Sequence, residues 1–478
     1  MCTVRIETLG CRLNQIESES AAQLFIESGF NVIFSIDDAD DKTRLVIINT
    51  CAVTQKAEQK ARRIIRLAAK KYKNAVVLVT GCYAQLSKVQ IEQMGERIVV
   101  LGGQVKSRIA KIPQLLKEAG EPSDFALLLK NQICSVPAIK PGFPEDSFKF
   151  AASSLQAHSR ASLKIQDGCN NNCSFCAIHI ARGHSVSLDV AAACERVIAL
   201  EASGYDEVVL TTINIAQYNG LFVDENGVKQ YYNFSALLKY LLVATKKICF
   251  RISSLYPEIV DADFCEVIKD SRVRPHFHIS VQSGSNKILE KMNRRYNRDD
   301  VIKACHDLRA AKPQCFLACD IITGFPSETA EDFAQTMDLC NQCDFTWVHS
   351  FPFSERPGTP ACAMKPKIPQ SVSQSRAKTL NKWAVQQKTS YIQSFLGQPL
   401  PAIIEKQQPS SAANYYVYNC MTENFIHCQL TSPEPLKESK SYTIKITSIL
   451  TENIHKGGEI EAMGTVMQSE TVTVVEKD

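Results

Sequence analysis

Three cysteines fall within eight residues of Asp167-Gly168-Cys169-Asn170-Asn171-Asn172-Cys173-Ser174-Phe175-Cys176. Thiolates suit iron–sulfur chemistry, and Cys-x-x-x-Cys-x-x-Cys spacing lets one loop cover three corners of a cubane cluster. A 4Fe–4S cluster needs four ligands, so three protein ligands leave one iron open. That iron can chelate the amino and carboxylate groups of S-adenosylmethionine. An electron from the cluster can then cleave the sulfonium C–S bond to give a 5′-deoxyadenosyl radical, the cofactor supplying the chemistry and the protein its placement. The competing reading is a zinc site without its fourth ligand.

A second set is dispersed. Cys11 closes Glu7-Thr8-Leu9-Gly10-Cys11, Cys51 closes Val46-Ile47-Ile48-Asn49-Thr50-Cys51, and Cys82 closes Val77-Leu78-Val79-Thr80-Gly81-Cys82. Each follows an apolar strand pattern by one to three residues. In an open parallel sheet the ligand crevice lies outside the carboxyl ends of the strands, so three strands would deliver three thiols to one edge. Gly10 and Gly81 permit close backbone approach there. This favours a second metal cluster over three buried strand-end cysteines.

The elements needed to position these residues follow from patterning. In residues 1–118, short apolar runs at 4–8, 45–49, 76–80 and 98–101 alternate with helical periodicity at 17–29 and 56–72. That predicts a doubly wound parallel α/β domain. Residues 119–155, with Pro137, Pro141, Gly142 and Pro144, read as a linker or docking segment. Residues 156–396 hold six strand–helix units with strands near 162–166, 207–211, 249–253, 277–281, 316–322 and 346–351, the pattern of a partial (β/α) barrel. His276-Phe277-His278-Ile279-Ser280-Val281-Gln282 alternates, so its polar positions face the lumen, where a purely structural barrel carries Val, Ile and Leu. Asn214, Ser253, Gln282 and Asp320 are lumen-facing polar candidates for cofactor contact by the same strand logic. A long helix spans 368–396, and residues 397–470 read as a small all-β barrel with strands near 402–405, 415–418, 425–430, 442–449 and 460–466.

Composition limits the class. The chain has 478 residues, 45% of them hydrophobic and 22% charged, which excludes a disordered or collagen-like polymer. The 19 cysteines are too dilute for a disulfide scaffold. The N-terminus Met1-Cys2-Thr3-Val4-Arg5 opens no apolar signal region, and no window approaches a membrane span. We therefore expect a cytoplasmic protein with reduced thiols and no membrane partner. A net charge of +4 neither identifies nor excludes a nucleic-acid partner. Lys60, Arg63, Arg66 and Lys70, flanked by Arg62 and Lys71, form a basic stripe at helical spacing; Arg294, Arg295 and Arg298 form a second patch. Tyr415, Tyr416, Tyr418 and Phe425 are candidates for base stacking or barrel core. Cys340-Asn341-Gln342-Cys343 has metal-pair spacing but no partner pair, so it reads as structural, and His306 and His349 lack ligand spacing.

Taken together these motifs resemble the radical S-adenosylmethionine methylthiotransferases over nearly the full length. Thr8-Leu9-Gly10-Cys11-Arg12-Leu13-Asn14-Gln15, Asn49-Thr50-Cys51-Ala52-Val53-Thr54 and Gly81-Cys82-Tyr83-Ala84-Gln85 are similar to the family's N-terminal cluster motifs. The three-cysteine loop with Arg182-Gly183 is similar to its radical loop. His278 to Gly284, Asp320 to Pro326 and Phe351-Pro352-Phe353-Ser354-Glu355-Arg356-Pro357-Gly358-Thr359 match further landmarks, and the C-terminal strands resemble its RNA-binding TRAM barrel. The wording around Cys11 is most similar to the branch that acts on N6-threonylcarbamoyladenosine beside the tRNA anticodon. The sister branches act on isopentenyladenosine tRNA or on a ribosomal-protein aspartate, and a non-catalytic iron–sulfur RNA-binding regulator is a third alternative.

The resemblance implies two 4Fe–4S clusters, a radical cluster on Cys169, Cys173 and Cys176 and an auxiliary, sulfur-carrying cluster on Cys11, Cys51 and Cys82. It implies two uses of S-adenosylmethionine, one to methylate that sulfur and one to activate the adenine C2–H bond. Phe175 would flank the cofactor adenine, and Arg182 would act catalytically by orienting substrate or cofactor. The implied partners are the tRNA anticodon stem-loop and a reductant protein, with the enzyme itself a monomer. Thr212, Tyr256, His179, Ser280 and Ser327 depart from the family pattern, which has glycine, glutamate, proline, proline and glycine there.

Overall fold

Runs such as Val76-Val77-Leu78-Val79 are apolar on both faces, which suits a parallel strand covered by helices on each side. The computed structural model, which describes residues 2–38, 40–150, 159–409 and 415–467, places them so. Strands β1 (Thr3–Thr8), β2 (Asn31–Ile33), β3 (Thr43–Thr50), β4 (Val76–Gly81) and β5 (Ile98–Val100) form one sheet in the order β2-β1-β3-β4-β5. Every pairing is parallel. Helix α1 (Arg12–Glu27) follows β1, α2 (Gln55–Lys71) follows β3, and the short α3 (Cys82–Leu86) follows β4. Thr54 caps α2 by accepting from the Ala57 N–H. At three residues, β2 is too short to be legible from patterning.

The segment expected as a linker or docking segment contains the helix Pro122–Leu129. Phe125, Leu129, Ile133 and Phe150 are buried in one core with Val4, Phe25 and Leu45. Through residue 150 it therefore packs on the first sheet as a docked layer; a free linker is ruled out there. Its prolines cluster downstream of this apolar run, which composition alone underweighted. Residues 151–155 of that segment lie outside the described residues.

Strand β6 (Ala161–Lys164) starts the second sheet, and a two-residue ribbon, β7 (Gln166–Asp167) with β8 (Val186–Ser187), brackets the cysteine loop. Strand β9 (Glu207–Thr211) is followed by the hairpin β10 (Gly220–Val223) and β11 (Lys229–Tyr232). Strands β12 (Cys249–Ile252), β13 (His276–Gln282), β14 (Phe316–Thr323) and β15 (Trp347–Pro352) complete the wall. Its strands run β6-β9-β12 and β13-β14-β15, all parallel. The halves join where Leu255 donates to the His278 carbonyl at 2.6 Å and accepts from Ser280 at 2.9 Å. The result is the expected partial barrel, with edges at β6 and β15. Phe277, Ile279, Val281, Leu317, Cys319 and Ile321 are buried in the core with the helices, so the alternate polar residues face the lumen.

After the helix Gln370–Gln393, strands β16 (Pro399–Gln408), β17 (Tyr416–Thr422), β18 (His427–Ser432), β19 (Ser441–Ile449) and β20 (Ala462–Val466) close a barrel. Residues 468–470 of the expected module lie outside the described residues. This barrel plugs the amino end of the strand arc. Phe425 stacks on His276 with ring centroids 3.9 Å apart. Beside it, Glu207 bonds Arg251 at 2.7 Å and Arg274 at 2.9 Å, Arg274 reaches Glu423 at 3.3 Å, and Arg160 reaches Glu405 at 3.3 Å.

Burial opposes the charge on Glu207, but Arg251 and Arg274 outweigh it and hold the carboxyl at about 2. Glu207→Gln should cost about 3–5 kcal/mol, because it leaves buried guanidinium charge uncompensated. A depressed carboxyl stabilises fully above its unfolded pKa and loses that contribution as pH falls toward its folded value. The wild-type advantage in urea-unfolding midpoint should therefore be full at pH 7 and shrink steadily below pH of about 4.5. Equal midpoints at pH 7 would contradict this account.

Candidate functional site

The sheet order reverses between β1 and β3, so a crevice opens beyond their carboxyl ends. Cys11 stands at the amino cap of α1, Cys51 directly follows β3, and Cys82 is the first residue of α3. Gly10 and Gly81 have φ of +111° and +97°. A Cβ at Gly10 would lie 2.4 Å from Cys51 Cβ, and one at Gly81 would lie 2.3 Å from the Thr50 carbonyl, so both conformation and space demand glycine. Asn14 donates to the Leu9 carbonyl at 2.9 Å and the Thr50 carbonyl at 3.1 Å, pinning the backbone on either side of Cys11 to that before Cys51. Thr50 Oγ1 donates to the Thr80 carbonyl at 2.6 Å, tying in the strand before Cys82. Burial pushes the Cys51 thiol up to about 11, and it senses both Cys82 and Cys11.

The loop cysteines are held by the ribbon β7–β8. Cys169 N–H donates to Gly183 at 3.0 Å, and Ser174 N–H donates to Met292 at 3.0 Å. Cys169 Sγ accepts from the Asn171 N–H at 3.4 Å and from Asn214 Nδ2 at 3.8 Å; Cys176 Sγ accepts from the Ile178 N–H at 3.4 Å. Burial pushes Cys176 up to about 12, with Cys173 and Cys169 also raising it. Among the described residues no three His, Cys, Asp or Glu side chains converge as ligands of a single metal ion. One zinc would need bonds of about 2.3 Å to each thiolate. Three thiols on one short loop, two of them accepting N–H donors, are the residues that would hold a 4Fe–4S cluster.

A buried ionic knot joins the two cysteine sets. Arg182, the last residue of the short helix Ile178–Arg182 after the loop, donates to Asp167 at 2.9 Å, Glu17 at 3.1 Å and Asn14 at 2.9 Å. Lys164 on β6 contacts Glu17 and Asp167, each at 3.0 Å. Lys106 contacts Glu17 and bonds Asn49 Oδ1 at 3.1 Å. The five charged residues are 2–6% exposed. Burial opposes every charge; the partners nevertheless hold Glu17 and Asp167 below the usual carboxylate range, and Arg182 is raised by Asp167, Glu17, Cys82 and Cys11. Arg182, expected to orient substrate or cofactor, is committed to three partners in this knot, and among the described residues only its buried Nε lacks one.

The remaining candidates divide. Asn214 is 1% exposed; it accepts from Ala216 at 3.1 Å while reaching Cys169, so it holds the loop. Ser253 and Thr212 hydroxyls lie 3.1 Å apart. Gln282 is buried at φ +73°, beside the lumen mouth. Asp320 lies 3.0 Å from His278 Nε2, which keeps its carboxyl below the usual range against the effect of burial. His349 stacks on His278 at 5.2 Å; burial, then His278, lowers it to about 4. Phe175 packs edge-on to Phe325 at 6.5 Å.

Arg294 was legible only as one of a basic surface patch, and the structure overturns that. Its guanidinium lies 5.3–5.6 Å from the rings of Tyr256, Phe175 and Tyr296, with Nε and Nη1 buried and unpartnered. Arg298 is committed to Gly284, Gln335 and Asp338. Two of the expected stacking aromatics are likewise occupied: Tyr418 is 1% exposed in the barrel core, and Phe425 is the plug on His276, whereas Tyr415 and Tyr416 are exposed. Cys340 and Cys343 are buried core residues beside Cys319 and Cys305, consistent with a structural role.

Removing one cation of the knot should leave its buried carboxylates with less compensation for their lost hydration. Arg182→Met should lower stability by about 3–5 kcal/mol in the metal-free chain, read by urea denaturation. Lys164→Met should cost a comparable amount, and the double variant more than their sum, because each cation is the other's backup and losing both leaves Asp167 with no ion pair among the described residues. Full additivity would show that the knot is not one unit.

The comparisons with known proteins agree with this geometry. The Radical SAM superfamily model matches residues 163–340, and the model described as Uncharacterized protein family UPF0004 matches residues 3–103. The chain is 40% identical over 472 residues to the threonylcarbamoyladenosine tRNA methylthiotransferase MtaB of Treponema pallidum, covering 89% of this chain and 94% of that protein. It is 31% identical to the protein of the same name from Aquifex aeolicus, covering 86% and 95%. It is 27% identical to the tRNA-2-methylthio-N(6)-dimethylallyladenosine synthase of Neorickettsia sennetsu, covering 93% and 92%. A three-cysteine loop on a partial barrel, a cysteine-edged sheet before it and full-length identity at this level have one common explanation: the chain belongs to the radical S-adenosylmethionine tRNA methylthiotransferase family, enzymes that use S-adenosylmethionine and a 4Fe–4S cluster.

Proposed function

We propose that this chain methylthiolates C2 of the adenine in N6-threonylcarbamoyladenosine beside the tRNA anticodon. The observation that carries the branch is the 40% identity to a relative of that name, against 27% to the dimethylallyladenosine relative, at similar coverage. The joined cysteine sets support a reaction with two 4Fe–4S clusters, one on Cys169, Cys173 and Cys176 and one on Cys11, Cys51 and Cys82. When bound, the first with S-adenosylmethionine supplies radical chemistry and the second supplies the sulfur.

The chain's own part is placement. The N–H groups of Asn171 and Ile178 stabilise thiolate charge at Cys169 and Cys176. Arg356 is 4% exposed, bonds Glu58 of α2 at 2.6 Å, and feels both Cys51 and Cys176. It latches the last barrel strand to the first sheet between the two sets. An adenine carbon has no acidic proton for a base to take, so rate must come from fixing C2 between sulfur donor and radical source. Electron delivery by a reductant protein and function as a monomer complete the proposal.

Anaerobic reconstitution should give about eight irons per chain, four per cluster. The triple variant Cys11→Ala, Cys51→Ala, Cys82→Ala should keep about four and still release 5′-deoxyadenosine from S-adenosylmethionine. About four in the wild type would refute the two-cluster reading. Nucleoside analysis of tRNA from a deletion strain should show threonylcarbamoyladenosine without its methylthio group; persistence of that group would exclude the substrate proposed.

A further inference from the structure

Helix α2 carries Lys56, Lys60, Arg62, Arg63, Arg66, Lys70 and Lys71 against a single carboxylate, Glu58. The whole chain is only +4, so these 17 residues hold more than its entire net charge. Glu58 is already taken by Arg356 and Arg62. Lys71 is bonded to the Ile36 carbonyl at 2.8 Å. The other five, Lys56, Lys60, Arg63, Arg66 and Lys70, are all exposed, and among the described residues none is in an ion pair. At about 100° per residue they share roughly a third of the helix circumference. The opposite face, Ala61, Ile64, Ile65 and Ala68, is buried on the sheet. A merely solvated helix face gains from alternating i,i+4 charges and loses from like ones. This face has only like ones.

The helix begins four residues after Cys51, and its first turn lines a cleft of about 720 Å³ along the edge strand β15. The facing wall is the helix Gln370–Gln393 with Lys378, and the floor includes Phe351 and Phe353, while Lys367 to one side is paired with Glu355 at 2.9 Å. Phe351 is 43% exposed. Cations along the walls with aromatic faces on the floor are the chemistry of a single-stranded nucleic-acid channel, phosphates on the cations and bases on the rings. We propose that the exposed face of α2 is a phosphate rail. It guides the anticodon loop of the tRNA through the β15 cleft to the cysteines, as a second RNA contact separate from the C-terminal barrel. The inference rests on the substrate reading above and adds the route by which that substrate enters.

The test is salt-dependent binding of a threonylcarbamoyladenosine-containing anticodon stem-loop RNA to reconstituted enzyme, followed by fluorescence anisotropy. In Lys60→Glu/Arg63→Glu/Arg66→Glu, affinity should fall roughly tenfold or more, and the slope of log K against log[salt] should flatten by about 2–3, one increment per lost phosphate contact. A control reversing three other exposed lysines, Lys239, Lys246 and Lys247, changes net charge equally and should keep the wild-type slope. Phe351→Ala should weaken binding without changing the slope. An unchanged slope in the α2 variant, or an equal loss in the control, overturns the rail. Melting temperature reports whether each variant is folded. Failure of the substrate reading would look different, since the wild type itself would then show no preference for the modified RNA.

Discussion

Five buried charges govern the geometry of this enzyme. Glu17 and Asp167 are enclosed by Lys106, Lys164 and Arg182, with Asn14 and Asn49 completing the hydrogen bonds. Ions taken from water are tolerated only when partners and hydrogen bonds replace the lost hydration. That requirement makes the knot intolerant of displacement, and its members come from α1, the segment after β5, β6 and the short helix after the cysteine loop. The first sheet and the strand arc therefore cannot slide past each other without stranding a charge. The proposed reaction, which places one carbon between two groups on different sheets, needs such a constraint, because a displacement of about 1 Å can cost two orders of magnitude in rate.

The knot carries three cations against two carboxylates, and Arg182 faces Cys82 and Cys11. The surplus positive charge thus lies beside the thiols of the first sheet. Arg356 plays a similar part between Cys51 and Cys176, and Arg294 lies over the other side of the loop in its aromatic cage. Buried guanidinium groups surround both cysteine sets, which suits sites that gather thiolate charge. At the far end of the arc, Phe425, Arg160, Arg251 and Arg274 bind the C-terminal barrel to the amino ends of the strands. The barrel is consequently a fixed plug as well as a module with exposed Tyr415 and Tyr416.

Much of this was legible in the sequence, for local reasons. Three cysteines in eight residues, apolar runs ending in Gly-Cys, and the alternation of His276 to Gln282 are short-range patterns set by spacing and strand period. They specified two cysteine sets, a parallel sheet, a partial barrel with a polar lumen and a closing β-barrel. Roles that depend on a distant partner were not legible. Arg182 read only as orienting substrate or cofactor, because Asn14 and Glu17, which it also bonds, lie more than 160 residues away. Arg294, Arg295 and Arg298 read as one basic patch, yet side-chain direction sets the half-buried first in a ring cage and commits the third to Asp338. Phe125 and Leu129 sat in a stretch that composition marked as a linker or docking segment without choosing between them, and a core contributed by other elements claimed them.

The sequence by itself determined which chemistry the chain can support, because ligand type and spacing are local properties of the polymer. It also determined most strands, since apolar periodicity is local too. Only the tertiary structure decided which cations are structural and which remain free. A charge is assigned by what surrounds it, and burial beside Glu17 or Glu207 commits an arginine that would look identical on the surface. Among the described residues the same folding leaves five cations on the outer face of α2 outside any ion pair, so the distinction between a committed and an available cation exists only in three dimensions.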